Sequence, residues 1–239
     1  MTLEALVTQL RAAYGAELLA VVLYGSSAGG EAHTGHSDQN VLVLVQELRA
    51  AAIPAAGAAL RAWQQAGHAP LLTLTGAEWR SSVDVFAMEH ADILERHRVL
   101  WAAEGMDVAA GIAVSRADIR QQLEYEAMAI LLRLRTAMLS SSDDAAKRVH
   151  VLAASAGQVL VIFRTLARLT GDSAAMDNEA LVRAVSARAG IEAAPFVAVV
   201  LHRRGDEKIT AARAADVLMA YPAGLEQLVA YLDALPSAQ

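Results

Sequence analysis

The sequence predicts an α/β half followed by an all-helical half, an α+β arrangement overall, and two observations predict it. Up to about residue 105, apolar runs of strand length, bounded by Gly, Ser, Asp or Pro, alternate with helical patterns. After Ser115 the apolar residues recur at spacings of three and four, as in Ile119, Leu123, Ala127, Ile130 and Leu134, which is one face of a helix. These patterns set the expected domains at 1–105 and 106–239.

Taken in order, MTLEALVTQLRAAYG at the N-terminus reads as an amphipathic helix. The runs ELLAVVLYG, NVLVLVQ, PLLTLT and SVDVFAM read as strands, each punctuated by turn-forming residues. The charged stretch from Glu89 to Arg96, continuing through His97, reads as a helix. Five helices then follow, at Arg116–Leu139, Ala145–Thr170, Asn178–Ala189, Ala194–Arg203 and Thr210–Leu235. SSSDD at 140–144, TGDS at 170–173 and RRGDE at 203–207 supply the caps and turns between them.

Composition removes several function classes. The chain has 239 residues, of which 55% are hydrophobic and only 19% charged, so it has ample apolar surface to offset its conformational entropy. A net charge of −6 argues against non-specific coating of nucleic acid. The absence of Cys excludes a disulfide framework, a thiolate zinc site, an iron–sulfur cluster and a cysteine nucleophile. It also fits a reducing, cytoplasmic location. Glu4 stands where an export signal would carry a basic segment. The most apolar stretch, Val151 to Phe163, is interrupted by Ser155, Gly157 and Gln158 and falls short of the roughly 20 apolar residues that a bilayer requires. It is expected to be a core helix, and no membrane partner is expected.

The chemistry-bearing segment is VVLYGSSAGGEAHTGHSDQNVLVLV, Val21 to Val45. A hydrophobic strand ends in Gly25-Ser26, and Asp38-Gln39-Asn40 leads into a second hydrophobic strand. Gly25 lets the backbone approach an anion, and Ser26 with the N–H groups after it can hydrogen-bond phosphate oxygens. Asp38 and Asn40, two apart on a strand, share a face, the placement Mg²⁺ needs between a protein carboxylate and nucleotide phosphates. Asp84, inside the apolar Val83-Asp84-Val85-Phe86, is costly to bury unless it faces a ligand or partner, while Glu89 sits where it could favour a helix dipole.

At these residues the chain resembles the nucleotidyltransferase superfamily, of DNA polymerase beta-like fold. The shared pattern is an apolar residue, Gly-Ser, a spacer, and Asp-x-Asp on the next strand. The resemblance implies a mixed-sheet domain in which Gly25 and Ser26 hold the triphosphate and Asp38 binds Mg²⁺. A third carboxylate, Asp84 first and Glu89 second, would act as general base or metal ligand. Asn40 departs from the pattern: it can offer an amide oxygen to Mg²⁺ but brings no charge. Gly67 to Leu100 is also similar to a bacterial group of nucleotidyltransferase-domain proteins that carry Asp-x-Asn and a helical C-terminal half. The two-domain layout resembles aminoglycoside nucleotidyltransferases. It implies a helical domain that closes one side of a nucleotide cleft and a small hydroxylated acceptor.

The function expected from this resemblance is Mg²⁺-dependent transfer of a nucleoside monophosphate from a nucleoside triphosphate to a hydroxyl of a small molecule or protein. Asn40 motivates the alternative, a non-catalytic nucleotide-binding or protein-interaction module, including an antitoxin-like role. The Ala-rich helices leave room for a homodimer, although a plain core explains them equally. Other candidates have ordinary explanations. His33 and His36 read as solvated loop residues, and His90 and His97, seven apart, lack the spacing of a paired metal site. Glu89, Asp92, Glu95 and Arg96 read as a charged helix face, and Arg133 and Arg135 as snorkelling side chains.

Overall fold

The computed structural model describes residues 1–25, 28, 39–140, 144–172 and 176–235. The chain divides into two compact units, Met1–Ser115 and Arg116–Gln239. The division falls ten residues beyond the change of pattern in the sequence, because a helix-poor stretch after the last strand still packs on the first unit through Val108.

The first unit is a four-stranded mixed sheet in the order β3-β2-β1-β4, made of β1 (Leu18–Tyr24), β2 (Asn40–Val45), β3 (Leu72–Thr75) and β4 (His97–Ala102). β1 is antiparallel to both β2 and β4, and β2 is parallel to β3. Both faces of the two central strands are covered, which is why their sequences are continuous apolar runs. On one face Val21, Leu23, Val41, Val43 and Val45 pack with Leu6 and Leu10 of α1 (Leu3–Tyr14) and with Ala56, Ala59 and Trp63 of α2 (Ile53–Gln65). On the other, Ala20, Val22, Leu42 and Leu44 pack with Trp79 of α3 (Gly76–Ser81) and Ile93 of α4 (Ala87–Glu95).

Local chemistry sets the helix starts. The Thr2 hydroxyl accepts the Ala5 N–H at the start of α1. Thr75 and Glu78 form a capping box that turns the end of β3 directly into α3.

The strand expected over 82–88 does not form, and β4 lies where the sequence pattern suggested helix. Residues 83–85 are a turn, closed by the Val85 and Phe86 N–H groups on the Ser82 carbonyl at 3.1 and 2.8 Å. Val85 is 60% and Phe86 46% exposed, so this apolar run gains little burial, and Phe86 leads into α4 instead. The strand is HRVLWA, which completes the sheet by pairing along β1 from Ala20↔Ala102 to Tyr24↔His97.

The second unit is a helical bundle of α5 (Arg116–Ser140), α6 (Ala145–Thr170), α7 (Asn178–Ala189), α8 (Ala194–Arg204) and α9 (Ala211–Asp233). The apolar face of α5 predicted from the sequence is buried at Ile119, Leu123, Ala127, Ile130 and Leu134. Among the described residues α6 is the one helix long and apolar enough, by length and composition, to cross a membrane. It packs on α5, α7, α8 and α9, with Leu152, Ala156, Val159, Phe163 and Leu166 buried, and so serves as the central core helix of this unit.

Candidate functional site

The Gly-Ser motif begins where β1 ends. Gly25 has φ +76°, a left-handed conformation that favours glycine. Its N–H donates to the Arg96 carbonyl at 3.1 Å, which ties the end of β1 to the end of α4, and its own carbonyl accepts the Ala28 N–H at 3.0 Å. Asn40 opens β2 opposite Tyr24, so the two ends of the motif loop are paired across the sheet. By strand alternation Asn40 shares the face of Leu42 and Leu44, and Tyr24 the face of Val22 and Ala20. That is the face covered by α3 and α4.

Three residues converge on one point. A side-chain carbon placed on Gly25 would lie 3.3 Å from Asn40 Nδ2 and 3.7 Å from Asp92 Oδ2. An amide from β2 and a carboxylate from α4 therefore both stand against Gly25, close enough that a side chain there would be tight. Asp92 pairs with Arg96 one helical turn on, at 3.7 Å, with both side chains mostly buried. The Tyr24 phenol is pushed up to about 12, first by burial and then by the negative charges of Asp92 and Glu89.

α4 is held firmly against the sheet. Ile93 and His90 are both 0% exposed. The His90 ring stacks on Trp79 with centroids 3.9 Å apart, and Nδ1 and Nε2 each lie 2.8 Å from a carbonyl oxygen, that of Phe86 and that of Trp79. Trp79 in turn donates its indole N–H to the Val108 carbonyl at 2.9 Å. The position of Asp92, next to Ile93, is thus set by packing.

Of the residues singled out from sequence, Gly25 and Asn40 meet at this point, whereas Ser26, Asp38, His33 and His36 lie outside the described residues. Asp84, expected inside a strand, stands exposed on the turn between α3 and α4. A third carboxylate was expected on a later strand, yet neither later strand carries an acid: β3 reads LTLT and β4 reads HRVLWA. Among the described residues, the acids that act on the end of β1 come from α4 instead. Asp92 was missed because it reads, with Glu89, Glu95 and Arg96, as a charged helix face; the signal available was its i, i+3 relation to Glu89, which puts two carboxylates on one side of the helix. Arg133 donates to Gln158 of α6 at 3.3 Å and Arg135 pairs with Glu226 of α9 at 2.6 Å. His97 opens the strand β4 rather than lying on a helix.

No family model matches the sequence, and no curated protein sequence matches it. A solved structure does. It is the crystal structure of spectinomycin adenyltransferase AAD(9) from Enterococcus faecialis with ATP and spectinomycin, matched at a TM-score of 0.61 and 11% sequence identity over 94% of this chain and 100% of that one. The chain has the nucleotidyltransferase fold. The likeness extends through both the mixed-sheet unit and the helical unit, as the coverage requires. In this fold the Gly25 turn directly follows β1 and Asn40 opens β2.

Proposed function

We propose that this chain is a nucleotidyltransferase with a weakened metal site. It transfers a nucleoside monophosphate from a Mg²⁺-bound nucleoside triphosphate to a hydroxyl of a small molecule or protein. The observation that carries the reading is the pairing of the left-handed Gly25 turn with Asn40 at one end of the sheet, within a fold matched over nearly its whole length by an adenyltransferase.

The donor set has the chemistry Mg²⁺ requires. The Asp38 carboxylate and the Asn40 amide offer hard oxygens two residues apart, although one of the two brings no charge. When bound, the ion neutralises charge on the transferring phosphate. The turn at Gly25 lets the backbone approach the triphosphate, and Ser26 offers a hydroxyl and N–H to its oxygens. Acceptor deprotonation falls to a carboxylate in the segment from the α3–α4 turn onward, where Asp84 and Glu89 stand. The reaction is completed by positioning and charge neutralisation. The adenyltransferase neighbour makes ATP the first nucleotide to test and spectinomycin the first hydroxylated acceptor.

A second reading, nucleotide binding without transfer, is favoured by Asn40 together with the acid-free β3 and β4. One experiment separates the two. Calorimetric titration with each nucleoside triphosphate, with and without Mg²⁺, is run beside a pyrophosphate-release assay with spectinomycin and other hydroxylated acceptors. Metal-dependent binding with release supports transfer; binding without release supports the second reading; no binding to any triphosphate removes both. Asp38→Ala is expected to abolish the metal-dependent heat, and its persistence would show that Asp38 does not face the ion.

A further inference from the structure

We propose that Asp92 supplies from α4 the negative charge that Asn40 lacks on β2, its carboxylate serving as the second acidic group for the metal-bound triphosphate at Gly25. The inference rests on the nucleotide reading above and names the residue that makes it workable despite Asn40.

Geometry carries it. The Asn40 amide and the Asp92 carboxylate both approach Gly25, at 3.3 and 3.7 Å from where a side chain would begin. The two groups come from elements far apart in sequence, and each is held independently: Asn40 by its register with Tyr24, Asp92 by the buried Ile93 after it and the buried His90 two residues before it. The hydrogen bond from the Gly25 N–H to the Arg96 carbonyl joins the phosphate turn to the end of α4 that bears Asp92.

Charge accounting points the same way. An Asp-x-Asp pair presents two negative charges to a divalent ion, whereas Asp38 with Asn40 presents one. On α4, Asp92 places a second carboxylate beside Gly25, its Oδ2 3.7 Å from where a side chain would begin. A charge moved from strand to helix in this way keeps the site's total at two.

The test is a charge swap read by calorimetry with Mg²⁺–ATP and with ATP alone, on wild type, Asp92→Asn, Asn40→Asp and the double variant. Mn²⁺ binding by electron paramagnetic resonance gives a second readout that needs no turnover. Asp92→Asn is expected to weaken Mg²⁺–ATP about tenfold or more while leaving ATP alone unweakened. The double variant is expected to return to within about threefold of wild type. Glu95→Gln, exposed on the same helix, is expected to change neither. Asp92→Asn binding Mg²⁺–ATP as tightly as wild type, or a double variant as weak as Asp92→Asn, overturns the proposal while the nucleotide reading stands. Wild type that takes up no ATP with or without metal overturns both. Should Asp92→Asn melt early, Asp92→Ser replaces it under the same criteria.

Discussion

Replacing His90 by Phe tests how α4, and with it the acids at the motif, is held on the sheet. The imidazole is 0% exposed and stacked on the Trp79 indole, and its two nitrogens each face a carbonyl oxygen at 2.8 Å. A Phe ring keeps the stacking and deletes the polar contacts. The Phe86 carbonyl still accepts the backbone N–H of residue 90 at 2.9 Å, whereas the Trp79 carbonyl loses its ring partner in a buried position. A buried carbonyl left in that state costs about 1–3 kcal/mol. For a domain near the size of the first unit, each kcal/mol moves the thermal midpoint by roughly 4–8 °C, so a fall of about 10 °C is expected. Circular dichroism and tryptophan fluorescence followed together report it, because Trp79 is itself the stacked partner. A midpoint lowered by less than about 3 °C would refute the reasoning, since the Trp79 carbonyl would then be satisfied without His90.

Two further predictions probe the strand end and the bundle. The Tyr24 phenol is neutral in the fold up to about pH 12 but ionises near 10 once unfolded, so its contribution is fully present below pH 10 and is lost as pH rises through 12. Wild type is therefore expected to lose about 1.4 kcal/mol between pH 9 and 11 that Tyr24→Phe retains, read from urea midpoints; equal losses would mean that Tyr24 titrates freely in the fold. In α9, a methyl on Gly224 would meet Phe196 Cε2 and Cζ at 2.7 and 2.9 Å, and that ring is held between Phe163 and Tyr221 at 5.2 and 4.7 Å. Gly224→Ala is expected to destabilise the helical unit by about 1–2 kcal/mol net, overpacking outweighing the gain in helix propensity. A raised melting midpoint would show that Phe196 can turn aside.

Much of this architecture is readable from local pattern. The helices of the second unit follow from apolar spacing, and their breaks from residues such as Asp144, Asp177 and Gly171, which act on their own neighbours in sequence. Tyr24-Gly25-Ser26 and Asp38-Gln39-Asn40 likewise announce a motif by residue type and spacing. The exchange between residues 82–88 and 97–102 shows where such reading stops. Both runs are short and apolar, and the choice between them lay with β1, which needed an antiparallel partner and found its register with His97–Ala102.

What the sequence by itself determined is the order of elements, the helical character of the second half and the position of the Gly-Ser and Asp-x-Asn motif, because each depends on periodicity or on residues close together in the chain. Only the tertiary structure decided that Asp92 stands beside Gly25. Asp92 lies 52 residues after Asn40 and reads from sequence as part of a charged helix face. It comes to Gly25 because Ile93 and His90 bury one face of α4 against the sheet, and that long-range packing aims the carboxylate at the strand ends.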